Sequence, residues 1–184
     1  MAKTLIKTLT ASGDSSLDFV DGTSGVVFDD TYPVYEFHFV NIHPSDAGSS
    51  GQLLFQVNAS GGSGFNETIS STAVRAYHQE DGSDAGVGYQ TGEDQGNGTA
   101  FEIIMEGIHD DNDTGGSGML TIYDPSSTTF VKHFLSNSNT TLTAGTKHDF
   151  HAGYINTTSA IDEISFKTSS GTMDAGTIKM FGVS

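Results

Sequence analysis

Between Val34 and Ile42 the chain alternates: Tyr35, Phe37 and Phe39 share one face, and Glu36, His38 and Val40 share the other. A period of two is the mark of a strand with one face turned to a core. Turn-forming residues bracket it, Asp29-Asp30-Thr31-Tyr32-Pro33 before and His43-Pro44-Ser45-Asp46 after. Similar short apolar runs predict strands over Thr4–Thr10, Leu17–Val20, Val26–Phe28, Leu53–Asn58, Val74–His78, Phe101–Glu106, Met119–Tyr123, Phe130–Leu135, Phe150–Ile155, Ile161–Lys167 and Thr177–Val183. Gly-rich stretches separate them at Gly48–Gly51, Ser60–Gly64, Gly82–Gly98 and Asp110–Gly118. Many short strands with turn signals between them predict an all-β sandwich or barrel. Asn66–Glu80 is ambiguous, because Ile69, Ala73, Val74 and Tyr77 also fit a helical stripe. Its Ser/Thr-rich flanks favour a strand over Ala73–His78. Gly82–Gly98 reads as a long flexible loop, and no stretch reads as a linker between independent cores, so one domain is expected over residues 1–184.

Composition sharpens this picture. Twelve Phe and six Tyr recur along the whole length, which argues against the disorder that a Gly/Ser/Thr-rich acidic chain would otherwise suggest. Seven Lys plus Arg stand against 23 Asp plus Glu, for a formal charge of −16. Nucleic-acid binding relies on cations that neutralise phosphates, and no basic block exists here, so neither nucleic acid nor an anionic membrane is an expected partner. The absence of cysteine excludes disulfides and thiolate metal sites. The opening Met1-Ala2-Lys3-Thr4-Leu5-Ile6-Lys7 lacks the apolar core of a signal peptide, and no apolar run has the length of a membrane span.

Candidate chemistry is sparse. A serine nucleophile elbow needs Gly two positions to either side. Ser63 has Gly61 before it but Phe65 after; Ser117 has Gly115 before it but Met119 after. Paired carboxylates for glycoside hydrolysis are available by chance in so acidic a chain, but there is no Trp to stack a sugar. The best cation candidate is His109-Asp110-Asp111-Asn112-Asp113-Thr114-Gly115-Gly116. Asp110, Asn112 and Thr114 alternate as oxygen ligands ahead of Gly115, as in the opening of a calcium loop. The position of the closing bidentate Glu is Thr121, so Asp110, Asp111 and Asp113 read either as an acidic hairpin loop or as an open calcium site. His148 and His151 are three apart, on opposite faces of a strand, and form no ligand pair.

Several stretches resemble small virion structural proteins of tailed bacteriophages that infect aquatic bacteria. They are Leu5–Gly22, Tyr32-Pro33 ahead of Phe37–Pro44, Ala76–Asp81, Tyr123–Thr129, and Ala152–Thr158 through to Gly176–Gly182. Ile161, Ile164 and Phe166, a turn at Ser169–Gly171 and the run Gly176–Gly182 look like the last hairpin of a phage jelly-roll domain. The resemblance implies a jelly-roll-like antiparallel β-sandwich and a non-enzymatic capsid decoration or tail protein in the virion, made in the host cytoplasm. Its partners would be copies of itself and other virion proteins such as the major capsid protein, with a host surface glycan as the target if it sits at a tail tip. It brings no catalytic residue and no cofactor. Phe130, Lys132 and Phe134 alternate with Val131, His133 and Leu135, so apolar residues on both faces predict that one sheet meets a second subunit.

Overall fold

The computed structural model describes residues 2–184 apart from 47 and 49, and among them there is no helix. Twelve strands follow one another: β1 Lys3–Thr10, β2 Leu17–Val20, β3 Val34–Pro44, β4 Gly51–Ala59, β5 Ile69–Gln79, β6 Ala85–Tyr89, β7 Glu102–Ile108, β8 Gly116–Tyr123, β9 Lys132–Leu142, β10 Gly145–Ile155, β11 Ile161–Thr168 and β12 Met173–Val183. They make two antiparallel sheets, β1-β12-β3-β8-β9-β10-β5-β6 and β2-β11-β4-β7. The all-β sandwich is therefore present, and Asn66–Glu80 resolves as strand, not helix.

The topology becomes simple once β5, β6, β9 and β10 are set aside. The remaining eight strands pair first with last: β1 with β12, β2 with β11, β3 with β8 and β4 with β7. This is a long hairpin folded over into two four-stranded sheets, the pairing of a jelly roll. The other four strands extend one sheet sideways as β9-β10-β5-β6. Two details differ from the sequence expectation. Ile161–Thr168 and Met173–Val183 are not a hairpin, because β11 and β12 lie in different sheets and the Ser169–Gly171 turn carries the chain across the sandwich. Val26–Phe28 is not a strand; both Val26 and Phe28 are buried from a loop, where the Phe28 N–H donates to Asp21 Oδ1 at 2.8 Å. Aromatic content marked that segment as core but not as paired backbone.

Between the original two sheets lies an aromatic core. Tyr35, Phe37 and Phe39 point inward and are all but completely buried, as their alternation requires. The Phe37 ring lies 5.3 Å from Phe19 of β2 and 5.3 Å from Phe166 of β11, and Phe39 lies 5.3 Å from Phe166, so one aromatic cluster joins the sheets. Each fully buried Phe contributes roughly 1.5–3 kcal/mol from removal of apolar surface, plus about 0.5–1.5 kcal/mol where ring edges meet faces. Gly153 fits the same logic, since a Cβ there would lie 2.7 Å from Phe134 Cζ.

Under the sideways extension the interior changes character. Inward positions of β9 and β10 are Ser136, Ser138 and Thr140, then Lys147, Asp149 and His151. β7 ends the four-stranded sheet, and hydroxyls of β9 occupy its carbonyls: Ser138 Oγ donates to Ile104 O at 3.0 Å and Thr140 Oγ1 to Glu106 O at 3.0 Å. Capping a sheet edge in this way removes a template for uncontrolled strand addition. Buried Lys132 follows the same rule; its ammonium donates to the carbonyls of Ser127, Phe130 and Thr157 at 2.5, 2.9 and 3.3 Å.

Candidate functional site

Among the described residues, three places stand out: an exposed apolar face, a polar cleft and a buried charged cluster. The apolar face is the outer side of the extended sheet. Val74 of β5 sits opposite Phe150 of β10 on one flank and Tyr89 of β6 on the other, while Leu135 of β9 sits opposite Ala152 of β10. Alternation places these side chains away from the core, because their neighbours Ala73, Phe134 and His151 are buried. Val87, Tyr89, Leu135 and Phe150 are 76, 51, 49 and 43% exposed. A hollow of about 420 Å³ opens between Leu135 and Phe150, lined also by Val74, Met119, Tyr123 and Ala152. The expectation of apolar groups on both faces of Phe130–Leu135 is thus met at Phe134 and Leu135. Phe130 is exposed ahead of the strand, and Lys132, on the Phe134 face, is buried as a capped cation.

The polar cleft, about 530 Å³, contains the acidic loop. Its walls include Asn41, His43, Asp113, Ser117, Asn139 and Asp174. The loop carboxylates have separate surroundings. Asp110 Oδ2 accepts from the Gly48 N–H at 2.9 Å, Asp111 Oδ2 lies 4.0 Å from His109 Nδ1, and Asp113 lines the cleft. The Asp111 carbonyl accepts from the N–H and hydroxyl of Thr114 at 2.9 and 2.8 Å, which closes the turn. Thr121, at the position a calcium loop gives to its closing Glu, lies in β8. His43 bridges the cleft, with Nδ1 at 2.7 Å from Asp174 Oδ1 and Nε2 at 3.1 Å from Asp111 O. Burial opposes its charge, yet these two acceptors favour the imidazolium that can donate to both, and its pKa is raised.

The third place was not apparent in the sequence. Arg75 of β5 reaches across the sandwich interior to Glu93, to Glu106 Oε2 at 2.8 Å and to Asp149 Oδ1 at 3.0 Å; Lys147 pairs with Glu106. His151 stands beside them, 2% exposed, and neither of its ring nitrogens has a hydrogen-bond partner. Burial pushes its pKa down to about 4. Glu93 arrives on the segment after β6, which is pinned and not free. Gln90 N–H donates to Ala73 O at 3.0 Å, Ser71 N–H to Gln95 O at 2.9 Å, and Gln95 Nε2 to Glu102 Oε2 at 2.7 Å. The expected flexible loop over Gly82–Gly98 therefore contains a strand, β6, paired with β5, followed by a strap. Ala85-Gly86-Val87-Gly88-Tyr89 hid this strand, because its inward positions are Gly86 and Gly88 and supply no apolar face. A Cβ at Gly86 would lie 3.0 Å from the Tyr77 ring, so the small residue serves close packing. The one sequence signal for the cluster is Asp149 and His151, two apart on a strand and so on one face; their partners lie far away in the chain.

No protein-family model matches the chain, and neither a curated protein nor a solved structure shows significant similarity to it.

Proposed function

We propose that the chain is a non-enzymatic structural protein of a tailed-phage particle, a decoration or cement component of the capsid surface. The observation that carries this reading is the outer face of the eight-stranded sheet, where Val74, Val87, Tyr89, Leu135 and Phe150 form one exposed apolar surface. Contiguous apolar area of this kind is the usual mark of a protein contact. The jelly-roll pairing and the resemblance of stretches along most of the chain to virion proteins support the same assignment. On a shell, a modest interface becomes strong by symmetric repetition, through binding to copies of itself and to the major capsid protein. Sedimentation velocity of the purified chain tests the adhesive face. Wild type is expected to self-associate, or to co-sediment with capsids lacking it, and a Leu135→Lys/Phe150→Lys variant to do neither. A wild-type chain that stays monomeric at high concentration and never binds capsids would overturn the reading.

A second reading rests on the polar cleft. Asn41, Asp113, Asn139 and Asp174 offer the hydrogen-bonding groups that a sugar needs, which suits a tail-tip module binding a host surface glycan. Glycan-array binding abolished by Asp113→Ala/Asn139→Ala, with copy number per particle in the handfuls, would favour this location over the capsid.

A further inference from the structure

Among the described residues, Glu93, Asp149 and His151 are the only group of three such side chains whose ligand atoms all lie within 4.8 Å of one another. Their arrangement is more specific than a cluster of acids. Arg75 binds Glu93 through Oε1 and Asp149 through Oδ1, which orients both carboxylates. Glu93 Oε2 is left buried without a partner, and so are both nitrogens of His151. Asp149 Oδ2 accepts the Glu106 N–H at 3.0 Å and keeps a second lone pair. Beside the Asp149 carboxylate, a buried oxygen of Glu93 and the buried ring of His151 thus lack any hydrogen-bond donor or acceptor.

The charges point the same way. Among the described residues, the three carboxylates of Glu93, Glu106 and Asp149 pair with two cations, Arg75 and Lys147, which leaves one negative charge in excess in a place largely shielded from water. Buried charge of this kind is costly unless paired or bound to a metal.

We propose that Glu93, Asp149 and His151 bind a divalent transition-metal ion, zinc in the first instance, that clamps the strap after β6 to the inner face of β10. Two carboxylate oxygens and one imidazole suit zinc, and a chain without cysteine must build any zinc site from His and carboxylates. Ligands about 2.0–2.1 Å from a tetrahedral zinc stand about 3.3 Å from one another, so closure from within 4.8 Å draws the side chains together by up to roughly 1.5 Å. Three protein ligands leave a coordination position for water. The clamp is separate from the acidic loop and from the apolar face, so it stands or falls independently of the assembly reading.

The test uses the full chain, stripped with EDTA and then given zinc or cobalt alone. About one zinc per chain is expected to survive gel filtration, with a melting temperature raised by several degrees. Cobalt is expected to give visible absorption bands that zinc abolishes. Glu93→Gln and His151→Gln should each lower zinc affinity at least about tenfold, while Asp110→Asn/Asp113→Asn should leave it unchanged. Should His151→Gln fail to fold, the imidazole nitrogen resonances of the wild-type chain decide the matter, because zinc must shift those of His151. No retained zinc, or zinc lost only with the acidic loop, or His151 resonances unmoved by zinc, would overturn the proposal and leave a bridging water only.

Discussion

Glu102 opens β7 fully buried, and substituting it by Gln gives a sharp test of the interior electrostatics. One carboxylate oxygen accepts from Gln95 Nε2 at 2.7 Å, and the other is buried with no partner. Burial pushes its pKa up from an ordinary 4.5 to about 7, against the lowering effect of its hydrogen bonds to Ser71 and Gln95, and the charge of Asp94 adds to the rise. Below pH 4.5 the group is protonated whether folded or unfolded and contributes no pH dependence. Between 4.5 and 7 the folded chain holds a proton that the unfolded chain has released, so stability falls as pH rises. Above 7 the full cost is present. The gap from 4.5 to about 7 corresponds to about 3 kcal/mol, at about 1.36 kcal/mol per pH unit. Glu102→Gln removes the ionisation while keeping the shape. Its stability relative to wild type should therefore improve by about 3 kcal/mol between pH 4 and pH 8, on top of any constant offset from the amide. Urea unfolding at several pH values, followed by tyrosine fluorescence because the chain has no Trp, reads this directly. A difference that does not change with pH, or one that moves in favour of wild type, would refute the reasoning.

Other consequences are more local. Phe37→Ala should cost about 3–5 kcal/mol, because the ring bridges β2 and β11 and leaves a cavity in the aromatic cluster; urea unfolding checks it. Gly153→Ala should cost about 1–3 kcal/mol by driving a methyl group against Phe134 and Ser70 O, visible as a lowered melting temperature. Calcium should leave the melting temperature nearly unchanged, since the Asp110, Asp111 and Asp113 carboxylates are separately engaged or open to the cleft and no closing Glu is present. A true site at a hundredfold excess over Kd would add about 2.7 kcal/mol. A rise of several degrees that Asp111→Ala/Asp113→Ala abolishes would contradict this.

The strands that carry the aromatic core were legible because burial on one face writes a period of two into the chain. Tyr35, Phe37 and Phe39 are the plainest case, and Leu17–Val20 was placed to the residue. Where the inward face is polar or glycine, the same pattern is invisible. β9 runs on through Ser136, Ser138 and Thr140, and β6 presents Gly86 and Gly88, so local pattern ends the first at Leu135 and reads the second as loop. Sheet assignment was beyond local pattern as well. A turn at Ser169–Gly171 reads the same whether it closes a hairpin or crosses between sheets, and only long-range pairing decides. The charged cluster failed to appear for the same reason. Glu93, Arg75 and Asp149 come from a strap and two strands that meet only in the folded sandwich, and surplus acids elsewhere masked the three that count.

The central claim, a structural protein of the particle surface, is tested most directly by the number of copies per particle and their seating in a cryo-EM reconstruction. Many copies in the symmetry of the shell are expected, each with Val74, Leu135 and Phe150 buried against a neighbouring subunit. Particles without the chain, or copies whose eight-stranded sheet faces solvent throughout, would contradict it.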